Sequence, residues 1–106
     1  MTTSIQLQTG GEVQSLLFAV DRWTVRDARR WAREHGYRDD DVDETRRYIH
    51  LRQEDPVSHD HGHLRTISFG SFARTGIKAI IQWHHIDAGE LAKAARQAHQ
   101  ELRKLL

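Results

Sequence analysis

The chain has 106 residues, with 16 Lys and Arg against 15 Asp and Glu, 8 His and no Cys. That length predicts one domain with one core, and the near balance of charge, +1 with neutral histidines, does not by itself advertise a polyanionic partner. The lack of cysteine excludes disulfides, thiolate nucleophiles and zinc-thiolate sites, and no apolar run reaches the roughly 18 residues of a membrane helix.

Residues 1–11, MTTSIQLQTGG, are polar and are expected to form a flexible leader before a single domain spanning 12–106. They lack the basic and apolar regions of a signal peptide, so a cytoplasmic location is expected. Val13 to Val20 reads as a strand, with Leu17 and Ala19 on one face and Leu16, Phe18 and Val20 on the other; apolar residues on both faces suit a central strand. A helix follows from about Val25 to His35, with Thr24 as its cap, Asp27 at the capping-box position and Gly36 as its left-handed terminator. Val25, Ala28, Trp31 and Ala32 share its apolar face, and arginines occupy the remainder.

Beyond an acidic turn, Val42 to Gln53 reads as one strand with Ile49 and Leu51 inward, ending before Pro56. Leu64 to Gly70 and Ile77 to His84 are two further strands, joined through SFARTG as a hairpin. Asp87 caps a last helix, with Glu90 in capping-box position, that runs through residues 87–106. The predicted order is β-α-β-β-β-α: a two-layer α+β domain with a largely antiparallel sheet, the last three strands as a meander and the helices on one face.

Residues Leu16 to Ile81 carry a joint pattern: a strand followed by DRWTVRDARRWAREHGY, then VDETRRYIHLRQEDP, then RTISFG and GIKAIIQ. This pattern resembles a small phage-associated domain of unassigned activity, found in tailed-phage and prophage genomes beside or within prohead protease and other phage proteins. The resemblance implies a phage or prophage origin and a role around virion assembly, with association with the virion as an alternative to the host cytoplasm. It supplies no catalytic residues. The loop HDHGH and the closing amphipathic helix depart from the pattern.

Four groups of residues are candidates for function. Arg22, Arg26, Arg29, Arg30 and Arg33 can offer bidentate guanidinium contacts to phosphates, the plain alternative being a solvated helix face balanced by Asp27, Glu34 and the acidic turn. His59, Asp60, His61 and His63, with His84 and His85 and also His50, can approach one another if the strands pair as a meander, which would suit a divalent transition metal; the alternative is a solvated polar loop. No other cofactor is expected. Asp39, Asp40, Asp41, Asp43 and Glu44 could attract a cation or basic partner, but they lack the glycine and terminal glutamate of an EF-hand loop. Leu91, Ala95, Ala98, Leu102 and Leu105 form the last helix's apolar stripe, which can pack on its own sheet or between subunits. Ser58, Ser68 and Ser71 sit in no nucleophile elbow, so nothing marks an enzyme.

The leading expectation is a non-enzymatic interaction module of phage origin whose partner is another protein or a second copy of itself. The alternatives are a nucleic-acid-binding accessory protein using the first helix, and a hydrolase built on a histidine-ligated metal. A membrane partner is not expected.

Overall fold

The computed structural model of the chain describes residues 11–53, 63–83 and 87–105. Among the described residues eight elements follow in order: β1 (Glu12–Ala19), α1 (Val25–Glu34), β2 (Val42–Glu44), β3 (Tyr48–Arg52), β4 (His63–Ser68), α2 (Phe72–Thr75), β5 (Ile77–Trp83) and α3 (Ala88–Arg103). The five strands form one antiparallel sheet in the order β2-β3-β1-β5-β4. It is an α+β fold, with α1 and α3 sharing one core with the sheet.

The expected two-faced burial of β1 places it in the centre, hydrogen-bonded to β3 on one side and to β5 on the other. Leu16 and Phe18 are fully buried in the core beneath the helices, whereas Leu17 and Ala19 are buried on the opposite face. A register shift against β5 between Val13 and Ser15 returns Val13 to the core face. This is the usual effect of a bulge, which resets the two-residue alternation of a strand.

Two features of the predicted topology are corrected. The segment read as one strand from Val42 to Gln53 is a hairpin, β2 and β3, closed by Thr45. The Thr45 N–H donates to the Tyr48 carbonyl at 2.8 Å, and its hydroxyl oxygen accepts from the Tyr48 N–H at 3.2 Å. One threonine thus supplies the turn chemistry that glycine or asparagine more often provides. The last three strands are not a meander, because β1 inserts between β3 and β5. Burial of both its faces is obtained only in the middle of the sheet, and that outweighs the advantage of pairing neighbours in sequence. The SFARTG connection between β4 and β5 contains the single turn α2, ending at Gly76 with φ +69°.

The caps form as the residue types predict. Thr24 Oγ1 accepts from the Asp27 N–H at 3.1 Å, and Asp87 Oδ1 accepts from the Glu90 N–H at 2.8 Å; caps of this kind contribute about 1 kcal/mol each. Trp31 anchors α1 through edge contacts with Phe18 and Phe69, with ring centroids 5.7 and 5.4 Å apart, and through stacking on Tyr37. At the other end of the helix the Trp23 indole N–H donates to the Thr75 carbonyl at 2.9 Å, fastening the entry to α1 onto the turn that precedes β5. Beside it, the Ala19 N–H donates to the Gly76 carbonyl at 2.8 Å. No helix among the described residues is long and apolar enough to cross a membrane.

Candidate functional site

The arginines of α1 are largely committed within the chain. Arg33 Nη1 lies 2.6 Å from Asp39 Oδ2, and Arg29 donates through Nε to the Asp39 carbonyl at 3.0 Å. Arg30 pairs with Asp27 one turn back, at 3.8 Å. Arg22 and Arg26 are exposed and make no ion pair with a described residue. The acidic turn is engaged in the same way: Asp40 receives two hydrogen bonds from the Arg38 guanidinium, at 3.0 and 3.3 Å, and Asp41 lies 3.6 Å from Arg52. The hydrogen bond from Arg38 holds the Asp40 carboxyl below the usual carboxylate range. Asp39 thus serves Arg29 and Arg33 of α1 while Asp40 and Asp41 are paired with Arg38 and Arg52, leaving Asp43 and Glu44 on the exposed strand β2.

Gln53 makes this arrangement rigid. Its side chain accepts from the Arg38 N–H at 2.7 Å and donates to the Arg38 and Leu51 carbonyls at 2.9 and 3.1 Å. A buried amide thus clamps the turn after α1 to the end of β3.

Of the histidines proposed as metal ligands, His59, His61, His84 and His85 lie outside the described residues, as do Asp60 and Ser58. His63 begins β4. His50 sits on the second face of the sheet, opposite Asp43 on one neighbouring strand and Leu17 on the other. Its partial burial lowers its pKa below the ordinary value, and this outweighs the attraction of Asp43. Among the described residues no three His, Asp or Glu side chains are placed to hold a metal ion. Ser68 and Ser71 flank the end of β4; Ser71 caps α2 through its backbone, without a side-chain bond.

The apolar stripe of α3 turns inward. Leu91, Ala98 and Leu102 are buried in the shared core and Ala95 packs partly against it, while Leu105 is 39% exposed. Burial of Leu91, Ala98 and Leu102 in the chain's own core commits that part of the stripe within the chain, while Ala95 lies at its edge. The outward side of α3 is different in character: Lys93, Arg96, Arg103 and Lys104 are exposed, and none forms an ion pair with a described residue.

Sequence reasoning missed the surface where α3 meets β4. Here Arg65 and Ile67 of β4 face Ala92, Ala95, Arg96 and His99 of α3 across an open groove of about 400 Å³. Strand β4 is an edge of the sheet, and Leu64 on it is 62% exposed, the most exposed large apolar side chain among the described residues. The Phe69 N–H donates to the Ile77 carbonyl at 2.9 Å, which sets the phase of the β4–β5 ladder. By the alternation of such ladders, Ile67 and Arg65 also bond toward β5, while the backbone N–H and C=O of Leu64, Thr66 and Ser68 point away from the sheet. The amphipathic α3 and the apolar Leu64 were visible signals, but only the strand order shows that no described strand pairs with the outer side of β4. No family model, curated protein or solved structure matches the chain.

Proposed function

We propose that this chain is a non-enzymatic protein-interaction module that works through the outer edge of β4 and the adjoining groove on α3. The observation that carries this reading is a six-residue edge strand with outward main-chain groups and exposed Leu64, Arg65 and Thr66. Natural sheets usually blunt such an edge by shortening it or covering it. The opposite edge obeys that rule, since β2 has three residues, Val42, Asp43 and Glu44, two of them acidic. An edge that no described strand covers offers ready main-chain hydrogen bonds to a partner strand, with the neighbouring groove giving selectivity. The resemblance of Leu16 to Ile81 to a phage-associated domain agrees with an accessory role in assembly.

A photo-reactive amino acid placed at Leu64 tests the reading in cells that produce the protein, with a second placed at Arg26 on α1 as the comparison. Discrete adducts at position 64, abolished by Thr66→Pro, are expected. Thr66 is chosen because its N–H faces away from β5, so proline removes the outward donor without breaking the existing ladder. Adducts that form at position 26 and not at 64 would refute the assignment and favour α1 as the binding element.

A further inference from the structure

We infer that the partner of β4 is an extended acidic peptide segment, added to the sheet as a sixth strand. This rests on the reading of the β4 edge as the binding surface and specifies what the edge takes. Two independent features lead to it. The main-chain groups of Leu64, Thr66 and Ser68 are spaced as every second residue of an antiparallel ladder, so a guest must present an extended backbone of its own. The groove on the helix side of that edge supplies the second feature. Among the described residues that line it, the ionisable side chains are Arg65, Arg96 and His99, and none is a carboxylate.

The contrast with α1 gives the charge its meaning. On α1, Arg29, Arg30 and Arg33 have carboxylates of the same chain beside them, whereas Arg65 and Arg96 form no ion pair with any described residue. A single charge on an edge strand is a common deterrent to strand pairing. Here the edge arginine is joined by Arg96 and His99 from another element, above a floor of Ile67, Ala92 and Ala95. Small apolar residues leave room for a guest strand, and the basic residues select its charge. A second copy fits less well. Antiparallel pairing of β4 with itself keeps the helices of both copies on one side of the joined sheet, which brings two sets of Arg65, Arg96 and His99 together. A nucleic acid would satisfy the charge but has no means of continuing the main-chain ladder.

The test uses the full chain and synthetic blocked peptides of seven residues, alternating Thr with Glu or Thr with Lys, together with the Glu peptide N-methylated at alternate residues. Binding is followed by calorimetry and by the backbone amide signals of the 15N-labelled chain. The Glu peptide is expected to bind about tenfold more tightly than the Lys peptide, a difference that fits two partly exposed charge pairs. It should shift and protect the amides of Leu64, Thr66 and Ser68, and N-methylation on the edge-facing side should abolish this. Replacing both Arg65 and Arg96 with Glu should reverse the preference while leaving thermal unfolding cooperative.

Equal binding of both peptides, with the β4 amides still responding, would overturn the acidic specificity and leave the edge assignment intact. Binding without any response in β4 would overturn both. A single-stranded oligonucleotide that displaces the Glu peptide, combined with undiminished binding of the N-methylated form, would identify a general polyanion surface and end the proposal. Dimerisation of the peptide-free chain that Thr66→Pro abolishes would make a second copy the occupant instead.

Discussion

Replacing Tyr37 with phenylalanine is expected to stabilise the protein. Tyr37 is 6% exposed, stacked on Trp31 with centroids 5.9 Å apart and set edge-on to Phe69 at 6.4 Å, so nearly all the value of the residue lies in its ring. Its hydroxyl oxygen is buried and makes no hydrogen bond with a described residue. A buried polar group without a partner costs about 1–3 kcal/mol, and Tyr37→Phe removes that group while retaining the ring contacts. Taking the lower end, because the native packing relaxes around the hydroxyl, gives a gain of about 1 kcal/mol. For a domain of this size that corresponds to a rise in Tm of about 4–8 °C. Thermal unfolding at neutral pH, with urea unfolding at constant m value as the second measure, reads the effect directly.

A second readout concerns the phenol's ionisation. Burial pushes the Tyr37 pKa up to about 12 from 10.0, so on raising pH the unfolded chain gives up this proton first. The stability contributed by the protonated phenol is therefore complete below about pH 10 and is lost as the pH climbs from there toward 12. Tyr37→Phe should lack that component of the alkaline decline. A loss of 1 kcal/mol or more in the variant at neutral pH would refute the reasoning, because it would mean the hydroxyl is bonded in the native protein.

His50 gives the acid counterpart: burial lowers its folded pKa, so the unfolded chain takes up a proton first as pH falls below about 6.5, and stability should decline there. The decline in Tm between about pH 7.5 and 5 should be shallower in His50→Gln, and an unchanged or steeper slope would count against this assignment. Gln53→Ala removes the bonds from its side chain to the Arg38 N–H and carbonyl and should lower stability by about 1–3 kcal/mol in urea unfolding. Gly76→Ala forces a side chain into a left-handed conformation, with its Cβ 3.1 Å from the Trp23 Nε1 and Arg22 Cδ atoms, and should cost about 1–2 kcal/mol or more. The Trp23 fluorescence of that variant should change as the indole is displaced from the Thr75 carbonyl.

Where local chemistry decides the outcome, the elements could be read directly from the residues. Thr24 and Asp87 start the two long helices, Gly36 follows α1 with φ +80°, and Leu16 to Ala19 face as the alternation of β1 predicts. The split of β2 from β3 was concealed because Thr45-Arg46-Arg47 contains none of the usual turn residues, and the turn depends on a threonine side chain bonding back to its own strand pair. The two apolar faces of β1 marked it as central, but which strands flank it, β3 on one side and β5 on the other, depends on pairings that no local window contains. The candidate site divides the same way. The arginines of α1 were conspicuous in sequence, yet their proximity to Asp39 shows why conspicuous charge need not be available charge. The groove was obscure because Arg65 and Arg96 lie thirty-one positions apart and share a surface only through the packing of α3 on β4.

The central placement of β1 also shapes the course of synthesis. Each edge of this strand waits for a partner made much later: Ser15 pairs with Arg52 on one side and Val13 with Ile81 on the other. As the chain leaves the ribosome, β1 and α1 emerge with their apolar surfaces ready but without the strands that complete the sheet. Closure of the sheet must await β5, and pairings this distant in sequence are slow to nucleate. During that interval Leu16, Leu17 and Phe18 present a sticky segment to anything nearby, which makes co-translational protection by a chaperone, and a lag between synthesis and native structure, the expected features of this protein's production.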